Sequence, residues 1–163
     1  VIPLFIDKML QGEPLTLTDG SMTRFLMSLD ESVDLVLHAF SNGKQGDIFV
    51  QKAPACTIST LSEALGIVFE KKVTTKVIGT RHGEKLYETL VSREEVCKAL
   101  DEGRFYRVPA DNRSLNYDKY ILDGQPNLNN IDDYTSHNTT QLNVNEVCAV
   151  LRSLDYIKEK LAK

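Results

Sequence analysis

The residues best suited to chemistry lie in one stretch, Ile78-Gly79-Thr80-Arg81-His82-Gly83-Glu84-Lys85-Leu86-Tyr87-Glu88, directly after the β-branched run Val73 to Ile78. Gly79 and Gly83 let the backbone turn sharply or lie close to a ligand. Arg81 carries a planar fork of donors suited to phosphate or carboxylate, and Glu84 offers two acceptor oxygens able to take a pair of hydroxyls. Such a loop suits a ligand in which a phosphate adjoins a sugar diol. The alternative is a surface turn in which Arg81 and Glu84 pair with each other. A phosphate-cradling P-loop is excluded, because that motif needs Gly-Lys followed by Ser or Thr. Here Glu84 separates Gly83 from Lys85, and Leu86 comes next.

Other constellations carry less. Tyr156 and Lys160 spell Tyr-x-x-x-Lys, the acid and orienting pair of short-chain dehydrogenases, but no glycine-rich dinucleotide turn follows a strand anywhere in the chain. His38, His82 and His137 share no ligand spacing with each other or with Cys or carboxylate pairs, so no metal site is expected. Cys56, Cys97 and Cys148 are odd in number and far apart, which argues against paired disulfides and for a reducing cytoplasm. No Gly-x-Ser-x-Gly elbow announces a nucleophile. Asn112-Arg113-Ser114 and Asn138-Thr139-Thr140 match glycosylation acceptors only formally.

The elements that must position the loop can be read from periodicity and punctuation. Val1 to Gly12 reads as a helix entered through Pro3, with Ile2, Phe5, Ile6, Met9 and Leu10 on one face. Leu15 to Thr18 reads as a short strand running into the turn Asp19-Gly20. Ser21 to Phe25 sets one cation, Arg24, among apolar and aromatic neighbours. Ser28 and Glu31 form a capping box for a helix that ends at Gly43 and is expected to bury Leu29, Val33, Val36, Leu37 and Phe40. Asp47 to Gln51 is a strand, and Thr57 caps a helix carrying Ile58, Leu61, Leu65, Val68 and Phe69, weakened slightly by Gly66. After the strand Val73 to Ile78 and the loop, Ser92 and Glu95 box a further helix expected to end near Gly103, and Phe105 to Pro109 is extended. Residues 112–143, rich in Asn, Asp, Ser and Thr, read as an irregular surface segment anchored by Tyr117, Tyr120, Ile121 and Leu122. Asn143 with Glu146 opens the last helix, with Val144, Val147, Val150, Leu151 and Leu154 as its buried stripe.

Composition bounds the function class. The balance of apolar and charged residues is that of a globular protein, and a net charge of -4 without a basic block makes nucleic-acid or anionic-membrane binding unexpected. No apolar run approaches a membrane span. The opening Val1-Ile2-Pro3-Leu4-Phe5, apolar and without an initiator Met, reads as part of a longer protein.

Taken together, Val1 to Phe5, Met22-Thr23-Arg24-Phe25, Gln51-Lys52-Ala53-Pro54-Ala55 and Gly79 to Glu88 resemble the C-terminal part of a bacterial sugar-nucleotide enzyme. The family is the extended short-chain dehydrogenases of polysaccharide biosynthesis, specifically the capsule-type UDP-N-acetylglucosamine 4,6-dehydratases (5-epimerising), often labelled UDP-glucose 4-epimerases. The resemblance implies that Arg24 and Arg81 clamp the diphosphate of a UDP-sugar, that Glu84 accepts from the ribose hydroxyls, and that the strand at Thr16 and Leu17 offers backbone groups to the uracil. It also implies an NAD or NADP cofactor held by an N-terminal half that this chain lacks, together with the catalytic residues. The expected fold is α/β, the substrate-binding half of an extended short-chain dehydrogenase, with short strands and amphipathic helices. Residues 1–110 form its UDP-sugar-binding part, and residues 111–163 form a C-terminal extension with a terminal helix. A cytoplasmic homo-oligomer, inactive without its cofactor half, is expected. A UDP-glucose 4-epimerase, and a stand-alone nucleotide-sugar-binding or interaction module, are the competing readings.

Overall fold

The structure, a computed structural model, describes residues 1–111 and 131–162. It is a mixed α/β fold of short strands and helices that divides into two compact units, each discontinuous in sequence.

The first unit comprises Val1–Leu26, Pro54–Glu88 and Ser136–Lys163. Helix α1 (Ile2–Leu10) starts with Pro3 in its first turn and buries Phe5, Ile6 and Met9, while Leu10, expected on that face, is exposed. Strand β1 (Leu15–Leu17) pairs in parallel with β5 (Thr75–Val77), which is shorter than the run from Val73 to Ile78 suggested. Strand β2 (Thr23–Phe25) pairs antiparallel with β4 (Ala55–Thr57), setting Arg24 opposite Cys56. Chain flow from β4 into α3 (Ile58–Val68) is direct, with the Thr57 hydroxyl accepting the Thr60 N–H at 3.0 Å. Helix α3 buries Ile58, Leu61, Leu65 and Val68 and packs chiefly on α5 (Val144–Ser153). Gly66 is required there: a Cβ would stand 2.8 Å from Val73 Cγ2 and 3.1 Å from the Lys71 carbonyl.

The last helix is in fact two. Leu154 is extended (φ -73°, ψ 128°), closing α5 and opening α6 (Asp155–Leu161), which drives Ile157 fully into the core. Ile6, Leu15, Leu65, Val147, Leu151 and Ile157 form the centre of this unit.

The second unit comprises Met27–Ala53 and Thr89–Thr135. Its sheet runs β3 (Ile48–Gln51), β8 (Phe105–Val108), β7 (Leu100–Asp101), all antiparallel. A second pair joins β6 (Thr89–Val91) to β9 (Tyr134–Thr135).

Two expectations are corrected here. The Ser92 capping box forms, but α4 (Arg93–Val96) stops after one turn instead of reaching Gly103. Leu100 and Asp101 leave the helix to pair with Arg107 and Tyr106, and Gly103 (φ +79°) makes the turn between them. Helix α2 (Leu29–Asn42) has the expected capping box yet buries none of the apolar stripe: Leu29 is 79% and Phe40 84% exposed. The opposite face meets the sheet. His38 stacks on Phe105 with centroids 4.3 Å apart, meets Phe49 edge-on at 5.4 Å, and bonds Glu102 Oε2 at 2.8 Å. Aromatic stacking with a charged partner thus decides which face turns inward, whereas periodicity alone pointed to the other. The expected anchors Tyr117, Tyr120, Ile121 and Leu122 lie outside the described residues.

Candidate functional site

Within the first unit a cavity of about 240 Å³ opens between α1, β1, β2 and the start of α3. Thr16, Leu17, Arg24 and Glu84, four of the five residues singled out in the sequence, line it together. Arg81 does not; its residue is exposed on the loop. The walls that sequence reasoning missed are apolar, notably Phe5, Met22 and Ile58, with Asp19 at the turn. The signals for them were the apolar faces of α1 and α3, which carry Phe5 and Ile58, and the apolar neighbours of Arg24, which include Met22.

Strand alternation decides what β1 can offer. The Leu15 N–H reaches the Thr74 carbonyl, and the Leu17 carbonyl takes the Ile78 N–H, each at 2.8 Å, so these residues face β5. The main-chain groups of Thr16 therefore face the opposite edge. Its hydroxyl accepts from Lys8 Nζ at 3.0 Å. Asp19 is held below the usual carboxylate range by the Ser21 hydroxyl and the Ser21 N–H, which donate to it at 2.7 and 2.8 Å.

Arg24 is tied down rather than extended. Nη1 donates to the Thr23 carbonyl at 2.7 Å and to the Leu86 carbonyl at 3.4 Å. Nη2 donates to the Lys85 carbonyl at 2.9 Å and reaches Met22 Sδ at 3.8 Å, while Nε lies 3.5 Å from Glu88 Oε1. The long contacts are weak; the short ones fix the guanidinium and, with it, the end of the loop.

The loop itself is held at one end and open at the other. Gly79 (φ +81°) and Gly83 (φ +87°) both adopt the left-handed conformation, and a Cβ at either would meet nothing within 4 Å. Glu84 Oε2 accepts the main-chain N–H of Arg81 at 2.9 Å, so its carboxylate closes the turn through the backbone and not through the guanidinium. At the other end, Thr23 N–H donates to the Leu86 carbonyl at 3.1 Å, and the Glu88 N–H to Ser136 Oγ at 2.9 Å.

A dinucleotide has no cradle among these residues. The one direct strand-to-helix passage among the described residues, β4 into α3, contains no glycine. Its first amides are already engaged: Ile58 N–H with the Met22 carbonyl, Ser59 N–H with the Gly20 carbonyl, and Thr60 N–H with Thr57 Oγ1. The described residues do not fit NAD or NADP.

Comparison with known proteins now decides the family. A family model described as "Polysaccharide biosynthesis protein" matches residues 1–110, and one described as "Polysaccharide biosynthesis protein C-terminal" matches residues 111–158. The chain belongs to the polysaccharide biosynthesis protein family. Relatives named UDP-glucose 4-epimerase from Rickettsia akari and Rickettsia canadensis are 58% and 56% identical over 161 residues, covering 99% of this chain and 47% of theirs. The chain thus spans about half the length of the curated relatives it matches. A solved structure titled "X-ray structure of Pen from Bacillus thuringiensis" superposes with a TM-score of 0.73 at 25% identity, over 94% of this chain and 45% of that one. No helix among the described residues is long and apolar enough to cross a membrane.

Proposed function

We propose that this polysaccharide biosynthesis chain is the UDP-sugar-binding part of a nucleotide-sugar-modifying enzyme. The observation that carries this reading is the convergence of Thr16, Leu17, Arg24 and Glu84, drawn from separate stretches of sequence, on one cavity. The outward-facing main chain of Thr16 supplies an amide pattern that a uracil edge can pair with. Glu84 supplies acceptors for ribose hydroxyls, and Arg24 supplies positive charge for a diphosphate. At about 240 Å³ the cavity is smaller than a site for a whole nucleotide sugar, so the sugar lies beyond its mouth. Arg81, on a loop with two left-handed glycines, completes the clamp by swinging onto the diphosphate.

For the intact enzyme we favour 4,6-dehydration of a UDP-N-acetylhexosamine, on the wording of the Thr80 to Glu88 loop and the extension after Asp111. NAD or NADP, held outside these residues, would accept the hydride. The names of the relatives favour a second reading, simple 4-epimerisation. Two measurements test the proposal. Calorimetric titration of this chain with UDP should release heat, and the Arg24→Ala variant should bind UDP markedly more weakly. Incubating the full-length enzyme with UDP-N-acetylglucosamine and weighing the product separates the reactions, since dehydration removes one water and epimerisation leaves the mass unchanged.

A further inference from the structure

We infer that Ser136, acting with Thr23, is a positioning residue for Arg24, so that the segment matched by the C-terminal family model shapes the diphosphate end of the site. This rests on the reading that Arg24 receives a diphosphate.

Ser136 is fully buried and Thr23 is 4% exposed, and their hydroxyl oxygens stand 2.7 Å apart. Ser136 Oγ also accepts the Glu88 N–H at 2.9 Å and lies 3.1 Å from the Thr23 carbonyl, to which it can donate. That same carbonyl accepts Arg24 Nη1 at 2.7 Å. One carbonyl, with two lone pairs, therefore carries both the serine hydroxyl and the guanidinium. On the main chain, Ser136 N–H donates to the Glu88 carbonyl at 2.8 Å, and the Ser136 carbonyl accepts Gln141 Nε2 at 2.8 Å. Glu88, gripped twice by Ser136, presents its carboxylate 3.5 Å from Arg24 Nε. Ser136 thus holds two of the groups that orient the guanidinium: the Thr23 carbonyl on one side and Glu88 on the other. Thr23 Oγ1 extends the chain to His137 Nδ1 at 2.6 Å, and the His137 ring lies 4.8 Å from that of Tyr87. A buried hydroxyl is unfavourable unless fully engaged, and the groups engaged here are those that aim Arg24.

The test compares UDP with uridine, which lacks the diphosphate, by calorimetry on Ser136→Ala, Arg24→Ala and the double variant. Ser136→Ala should weaken UDP about tenfold and uridine less than twofold, and should add nothing once Arg24 is alanine. Thr23→Val, which removes the partner hydroxyl at nearly constant shape, should show the same UDP-selective loss and carries the test if Ser136→Ala does not fold. Equal losses for both ligands, or a Ser136→Ala effect that persists in the double variant, would overturn the inference. If Arg24→Ala leaves UDP binding intact, the diphosphate reading falls, and the inference with it. If Arg24→Ala weakens UDP but neither Ser136→Ala nor Thr23→Val does, the inference falls alone.

Discussion

Nη2 of Arg24 donates to the main-chain carbonyl of Lys85 at 2.9 Å, joining a residue of β2 to the far end of the Gly79–Glu84 turn. The same side chain therefore both lines the cavity and anchors the loop beside it. Replacing Arg24 with Lys should keep the charge but lose the geometry, because one ammonium cannot reach the carbonyls of Thr23, Lys85 and Leu86 and also meet a phosphate. Arg24→Lys should bind UDP nearly as poorly as Arg24→Ala, with a loss of about 2 kcal/mol, the low end for truncating a hydrogen-bonded charge. Faster proteolysis at the loop should accompany it. A lysine variant with wild-type affinity and wild-type protease resistance would argue that the guanidinium geometry is irrelevant.

Arg81 offers a contrast, since it is exposed and outside the cavity walls. Arg81→Ala should leave the melting temperature unchanged and still weaken UDP binding, because the role proposed for it begins only when ligand draws the loop in. Substituting Ala at Gly83 forces a β-carbon onto a backbone at φ +87° with no neighbour to offset it, a cost of about 1 kcal/mol that falls on the loop's conformation. Gly83→Ala should slow UDP association in stopped-flow. Unaltered kinetics together with unaltered affinity in Arg81→Ala would show that the loop takes no part.

How much of this was legible in the sequence depended on how local each cause was. The capping boxes at Ser28, Ser92 and Asn143 were readable because donor and acceptor lie three residues apart, and all form. The length of a capped helix was not readable where a distant strand competes for its residues. Leu100 leaves the helical path after Ser92 because Arg107 is there to pair with it. Likewise, the break at Leu154 is set by Ile157 seeking the core built by α1 and α3, which no local signal announces. In the site, residue types gave Arg24 and Glu84 their chemistry, and the family resemblance gave their partnership. The hydroxyl bridge from Ser136 to Thr23 spans 113 positions and left no trace in spacing.

The two amphipathic helices make an internal control for burial. Phe40 on α2 is 84% exposed, while Leu65 on α3 is completely buried among Leu15, Val147 and Leu151. Leu65→Ala should lower stability by about 2 to 5 kcal/mol, since it removes apolar contacts and leaves a cavity. Phe40→Ser should change it by less than about 0.5 kcal/mol, as for other exposed positions. Urea midpoints of the two variants check this. A large loss at Phe40 would mean that its stripe is covered in solution.

Asp47 sets an acid limit on the second unit. Its side chain is only 3% exposed, and it accepts the Lys44 N–H at 2.8 Å and Arg107 at 2.6 Å (Nη2) and 2.7 Å (Nε). The Lys44 amide above all, then Arg107 and the Ala110 N–H, hold its carboxyl below the ordinary 3.8 against the opposing effect of burial. Because the folded state binds its proton less readily than the unfolded state, this contribution is present in full above the unfolded value. It is lost as pH falls through about 3.8 toward the lower folded value. Asp47→Asn should therefore be less stable than the wild type at pH 7 and lose less on acidification, so that their urea midpoints draw together as pH falls through about 3.8 and below. Midpoints that stay a constant distance apart across that range would show that Asp47 titrates alike in both states, leaving the Lys44 amide and Arg107 without the effect assigned to them.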